Sequence, residues 1–230
     1  MITESVKYLQ QSEEWVKTFV VGTILTLFVL PLFLVVGYLL RVLRATMRGD
    51  EEPPVFDDWG DLAVDGLKGF VIGLVYFFIP GVIGTVFVAF GVASAVAGGS
   101  DAAGIFGGVT ALVGLLVAFV LSLVAAYITP AALSNYAETD RMGAAFAFGE
   151  LKPILFSGKY ATAWLYAFAI LIVAGIITGA LAPTGIGAIL AAAVSFYAYV
   201  AMYYIFGTTW GEMHPVAMRG DETPDEKATV

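Results

Sequence analysis

Asp57, Asp58, Asp61 and Asp65 crowd into one short stretch, and Arg41, Arg44 and Arg48 precede them. Clustered carboxylates can hold a divalent ion, and clustered guanidiniums can grip phosphate. On a helix, however, Asp57, Asp61 and Asp65 stand at i, i+4 and i+8, which makes a ladder rather than a coordination shell. A solvated acidic face, or pairing with the three arginines across two helices, fits that spacing better than a metal site. Arg41, Arg44 and Arg48, at i, i+3 and i+7, share one face where lipid phosphates would lie. The same stripe would also serve simply to set topology. Glu212 and His214, at i and i+2, point apart on a helix and make a poor acid–base pair. Thr85, Thr110, Ser122, Thr129, Thr178 and Ser195 are suited to hydrogen bonds across helices, but no acid or histidine at their depth could activate them. Tyr197, Tyr199, Tyr203, Tyr204 and Phe206 crowd one segment and read as an aromatic packing face. The chain has no cysteine and one histidine, so disulfides and thiolate sites are excluded. No catalytic residue, metal site or cofactor is expected.

The elements that position these residues follow from composition. Of 230 residues, 60% are hydrophobic and 13% charged, and the mean hydropathy is +0.89. Soluble proteins carry roughly 45–50% and about 25%. So few charges could not cover a soluble surface, which excludes a soluble enzyme. A net charge of −8 disfavours nucleic acid as a partner. Thr18–Leu40, Gly69–Ser100, Ala102–Ala137 and Tyr160–Gly211 contain no Asp, Glu, Lys or Arg. A spanning helix needs about 20 mostly apolar residues. These runs predict an all-α polytopic transmembrane bundle of about five spans, at 17–47, 69–97, 105–134, 161–181 and 187–210, with a cytoplasmic tail at 211–230. Continuous rather than alternating apolar runs argue against a barrel.

Lys and Arg gather in 41–68, in 135–160 and after Trp210, while the turns at 98–104 and 182–186 have none. The basic segments should therefore face the cytoplasm, and five passes put the N-terminus outside. An alternative keeps the N-terminus inside and bends the first apolar segment back at Pro31 as a re-entrant hairpin. Trp15, Trp59, Trp164 and Trp210 fall at the proposed borders, as an aromatic belt requires. After Pro53 and Pro54, residues 57–68 read as an interfacial amphipathic helix. Trp59, Leu62, Ala63, Gly66 and Leu67 share one face, and Asp57, Asp58, Asp61, Asp65 and Lys68 the other, with Asp57 or Asp58 capping. Residues 141–159, aromatic and weakly charged, read as a second interfacial element broken at Pro153 and Gly158. Pro31, Pro80 and Pro130 should kink their spans. Gly91 and Ala95, Gly104 and Gly108, Gly114 and Ala118, and Gly175 and Gly179 have helix-packing spacing. Met47–Pro53 is echoed at Met218–Pro224, which would fit a duplicated unit.

Gly37–Arg44, Gly49–Trp59 and Asp65–Lys68, with the stretch from Thr139 to Ser157, resemble the domain-of-unknown-function family 4013. The resemblance covers most of the chain and implies a small polytopic membrane protein of the kind common in halophilic archaea. No activity or catalytic residue comes with it. It implies a cell-membrane location and a salt-rich cytoplasm, which the sequence pI of about 4.5 fits.

The functional expectation is a non-enzymatic integral membrane protein that binds lipid or a protein partner at its cytoplasmic face, with self-association a further option. The alternative is a transporter or channel for a small neutral or apolar solute. A solid core with an exposed apolar face would favour the first, and a continuous polar cavity the second.

Overall fold

In a bilayer the backbone must satisfy its own hydrogen bonds, so long apolar runs become helices. The computed structural model describes residues 1–28, 31–181, 183–184 and 186–214, and every regular element among them is helical. In chain order these are α1 (Ile2–Tyr8), α2 (Trp15–Leu27), α3 (Leu32–Arg48), α4 (Trp59–Gly98), α5 (Asp101–Thr139), α6 (Phe148–Leu155), α7 (Gly158–Leu181) and α8 (Gly187–Met213). Short 3₁₀ turns lie at Leu9–Gln11 and Met142–Phe146. Among them α4, α5, α7 and α8 are long and apolar enough to cross a membrane.

The first expected span is corrected. Residues 17–47 form two helices rather than one, and neither α2 nor α3 reaches 18 residues. Pro31 occupies the N-cap of α3, where its missing N–H does no harm. A continuous helix over 17–47 would hold its ends about 45 Å apart. Instead Tyr8 and Leu9, ahead of α2, share a core cluster with Phe56 and Leu62, beyond α3. The Tyr8 hydroxyl donates to the Glu52 carbonyl at 3.5 Å. The segment therefore leaves one end of the bundle and returns to it. Its arms diverge: Gly22 of α2 seats the Phe196 ring of α8, while α3 lies between α4 and α8.

Two antiparallel hairpins, α4–α5 and α7–α8, extend from a core at the charged end. There Leu40, Ile72, Tyr136, Leu151, Tyr160 and Trp210 are buried together. Away from it the apolar side chains turn outward, as Val96, Ile105 and Ile176 do. The α4–α5 seam is lined by small residues. Gly84 faces Ala118, Gly114 faces the Phe87 ring, and Gly91 and Gly107 face each other's carbonyls, so the backbones approach closely and gain dispersion contacts. Gly91, Ala95, Gly114 and Ala118 thus pack as their spacing suggested. Gly104, Gly108, Gly175 and Gly179 face open space.

Three local expectations also change. The interfacial helix and the second span are one helix of 40 residues, which runs through Pro80; α5 likewise runs through Pro130. Pro153 lies inside α6, and the chain breaks at Phe156–Ser157 instead. Trp210 is buried and belongs to the core rather than to a lipid-facing belt. The second copy of the Met47–Pro53 echo lies outside the described residues.

Candidate functional site at the charged end

The three arginines sit in the last turns of α3, where a helix C-terminus favours positive charge. Gly49 ends the helix in the left-handed conformation at φ 80°. The Asp50 N–H reaches back to the Ala45 carbonyl at 3.0 Å, so the last carbonyls are satisfied. The linker then folds inward, with Phe56 stacked on Tyr38 at 4.3 Å between ring centres.

Each arginine finds an acid. The Arg41 guanidinium pairs with the Asp57 carboxylate and also donates to the Asp57 carbonyl at 3.1 Å and the Asp58 carbonyl at 3.3 Å. It thereby pins the linker just before α4. Asp58 occupies the N-cap, but its backbone is left-handed at φ 42° and neither its side chain nor that of Asp57 caps the helix. Arg44 pairs with Asp65, lies 3.5 Å from Asp140, and donates from Nε to the Ala137 carbonyl at 3.3 Å. The Tyr136 hydroxyl donates to the other Asp65 oxygen at 3.3 Å. Both Arg44 and Lys68 stand over the Tyr136 ring, at 5.7 and 5.9 Å. Lys68 lies 4.0 Å from Asp140. Arg48 pairs locally with Asp50 at 2.9 Å. Burial opposes the Arg44 charge, but the bonded Asp65, with Tyr136 and Asp140, holds its pKa above the ordinary value.

The two faces expected on residues 57–68 are only half preserved. Leu62 and Gly66 are buried against α3, and the Gly66 Cα abuts the Phe33 carbonyl, leaving no room for a side chain. Trp59 and Leu67 are exposed, whereas Asp65 and Lys68 turn inward to the cluster. Arg44, Asp61, Asp65, Lys68 and Asp140 line an open polar cavity of about 470 Å³. Three carboxylates there face two cations, so the cavity offers no surplus positive charge to an anion.

The family model described as "Protein of unknown function (DUF4013)" matches residues 20–183. The chain belongs to that family. No curated protein and no solved structure matches it. The part that matches the DUF4013 model contains the whole junction of α3, α4 and α5, and stops short of α8.

Elsewhere this DUF4013 chain separates the residues that the sequence placed side by side. Glu212 pairs with Lys159 at 2.5 Å, while His214 stacks on Trp210 at 4.9 Å. The Thr110, Thr129 and Thr178 hydroxyls bond back to carbonyls of their own helices, so they join nothing across the bundle. Asp140, Tyr136 and Glu138 escaped the sequence reading. Glu138 accepts the Trp210 indole N–H at 2.7 Å. Their sequence signal was position, at the end of a long uncharged run, where helices meet and polar groups become partly buried.

On the outer side of this end lies α6. Leu151 and Ile154 face the core, while Phe148 and Lys152, together with Phe156 at the C-cap just past the helix, face outward. Phe148 is 58% exposed and Phe156 83%.

Proposed function

We propose that the protein is a non-enzymatic, four-pass membrane protein of the cell membrane that binds anionic lipid headgroups at its cytoplasmic face through α6. The carrying observation is the outward stripe Phe148–Lys152–Phe156, two large exposed rings flanking an ammonium on an element at the charged end. Aromatic rings with a basic side chain between them suit the boundary between headgroups and acyl chains. The arginine stripe supports this role less well, because Asp57 and Asp65 already engage Arg41 and Arg44.

The orientation rests on the doubled-back first segment. It brings Lys7 and Lys17 to the same end as Arg41, Arg44, Arg48, Lys68, Arg141, Lys152 and Lys159, and leaves Asp101 as the charge in the far turn. With four passes and all these basic residues on one side, that side is the cytoplasm. The acid excess suits a salt-rich cytoplasm, where screening shortens to about 3 Å at 1 M and contact pairs such as Arg44–Asp65 keep their strength.

Mass spectrometry of lipid retained after purification tests the proposal. The triple variant Phe148→Ala, Lys152→Gln, Phe156→Ala should lose anionic lipid, whereas Arg48→Gln should retain it. Retention unchanged in the triple variant would refute the α6 reading. Loss from the triple variant of one stoichiometric co-purifying protein, with lipid unchanged, would make the face a protein-docking site instead.

A further inference from the structure

The five aromatic residues crowded on α8 divide into two groups. Tyr197 donates to the Val6 carbonyl and accepts from Gln10, Tyr204 packs against Tyr8 at 4.7 Å, and Phe206 is buried in the core. These three are packing residues. Tyr199 and Tyr203 differ in bordering cavities rather than α1, and neither hydroxyl has a hydrogen-bond partner among the described residues. Four residues before Tyr199 stands Ser195, whose hydroxyl also lacks one. Ser195, Tyr199 and Tyr203 therefore form one i, i+4, i+8 stripe of three unsatisfied hydroxyls.

That stripe borders two adjoining cavities. One, about 410 Å³, is bounded by Tyr199, Tyr203, Thr129 and Leu171, and its walls are otherwise apolar. The other, about 310 Å³, is bounded by Ser195, Tyr199, Thr178 and Leu171. Leu171 and Tyr199 belong to both, so the two form one elongated site between α7, α8 and α5. Tyr203 and Tyr199 lie seven and eleven residues before Trp210, or about 10 and 16 Å along the helix. No Asp, Glu, Lys or Arg lies between Tyr160 and Gly211. A charged headgroup held at that depth would be uncompensated, and a bare acyl chain would leave all three hydroxyls without partners.

We infer that this site binds a neutral, elongated apolar molecule carrying a carbonyl oxygen, of the quinone or long-chain ketone class. Its body occupies the apolar cavity and its carbonyl accepts from the Tyr199 or Tyr203 hydroxyl, with Ser195 within the same stripe. The inference is independent of the α6 proposal, since the residues and the depth differ.

The test is equilibrium binding of decyl-1,4-benzoquinone, with decylbenzene as the analogue lacking carbonyls, to the full chain in detergent–lipid micelles. Saturable quinone binding is expected, about tenfold weaker in the variant Ser195→Ala, Tyr199→Phe, Tyr203→Phe, with decylbenzene binding unchanged. Those hydroxyls bond to nothing described, so helix content and melting temperature should stay at wild-type values. Leu171→Trp, which fills the shared wall, should weaken quinone binding while the hydroxyls remain. Non-saturable quinone uptake would overturn the inference. So would equal saturable binding of decylbenzene, or quinone binding indifferent to all four substitutions; either would leave the site a groove for lipid tails.

Discussion

Asp65→Asn removes the charge that holds α4 to α3, and its effect can be worked out from the geometry. The Asp65 and Arg44 side chains are only 18% and 21% exposed. Loss of the carboxylate leaves a mostly enclosed guanidinium with Asp140 at 3.5 Å as its remaining acid, and Asp140 is 71% exposed. Screened by solvent, Asp140 compensates little. Exposed pairs contribute about 0.2–1 kcal/mol and breaking a fully buried one costs about 3–5, so this intermediate case should cost about 2 kcal/mol. For a chain of this size each kcal/mol moves the melting temperature by about 2–4 °C, giving an expected fall of about 4–8 °C. The assay is helical circular dichroism on heating in mild detergent. Asp61→Asn is the control: Asp61 lines the same cavity with no ion pair among the described residues, so its variant should melt within about 1 °C of wild type. The double variant Arg44→Met, Asp65→Leu should recover much of the loss, because an apolar pair leaves no stranded charge. If Asp65→Asn melts with wild type, or Asp61→Asn falls equally far, the clamp is not what joins these helices.

Gly66→Ala should sharply reduce folded yield, costing about 3 kcal/mol, because the new methyl meets the Phe33 carbonyl and backbone cannot yield cheaply. Gly73→Ala, on the same helix but facing open space, should instead gain up to about 1 kcal/mol from helix propensity, read from the same melts. Trp210→Phe should cost about 1.5 kcal/mol by removing the indole donor to Glu138, and Glu138→Ala should add little to it in a double-mutant cycle. Because the natural chain has no cysteine, single cysteines at Glu13, Asp61 and Lys152 should label only from the cytoplasm and one at Ser100 only from outside. Labelling of Glu13 from outside would restore the five-pass topology.

The helical class and four of the proposed spans were legible because lipid leaves few options: an apolar segment of about 20 residues that crosses it must satisfy its own backbone as a helix. The first segment was not decidable in that way. Its apolar run is equally compatible with a span or a doubled-back pair, and the deciding contacts, Tyr8 and Leu9 with Phe56 and Leu62, join residues about fifty positions apart. The aspartates and arginines could be matched as partners from their types, but which acid meets which base depends on how α3 crosses α4 at Gly66. That close approach is why Asp65 turns inward although amphipathic periodicity placed it outside. The division of the α8 tyrosines was hidden for the same reason: Tyr197 and Tyr204 are covered by α1, and no local pattern announces what α1 will touch.

The lengths of the two hairpins bear on the membrane itself. The uncharged part of α4, residues 69–98, would measure about 45 Å against a hydrocarbon layer of about 30 Å. Helix α7, with 24 residues, measures about 36 Å. A slab that fits the shorter hairpin with a modest lean forces the longer one either to tilt by roughly 50° or to stand about 15 Å proud of the far surface. The Arg44–Asp65 and Arg41–Asp57 pairs fix its other end, so a change in bilayer thickness would be taken up as a swing of α4–α5 about that junction. Thick bilayers would stand the hairpin upright and thin ones would lay it over, which makes hydrophobic thickness a variable that this molecule converts into angle.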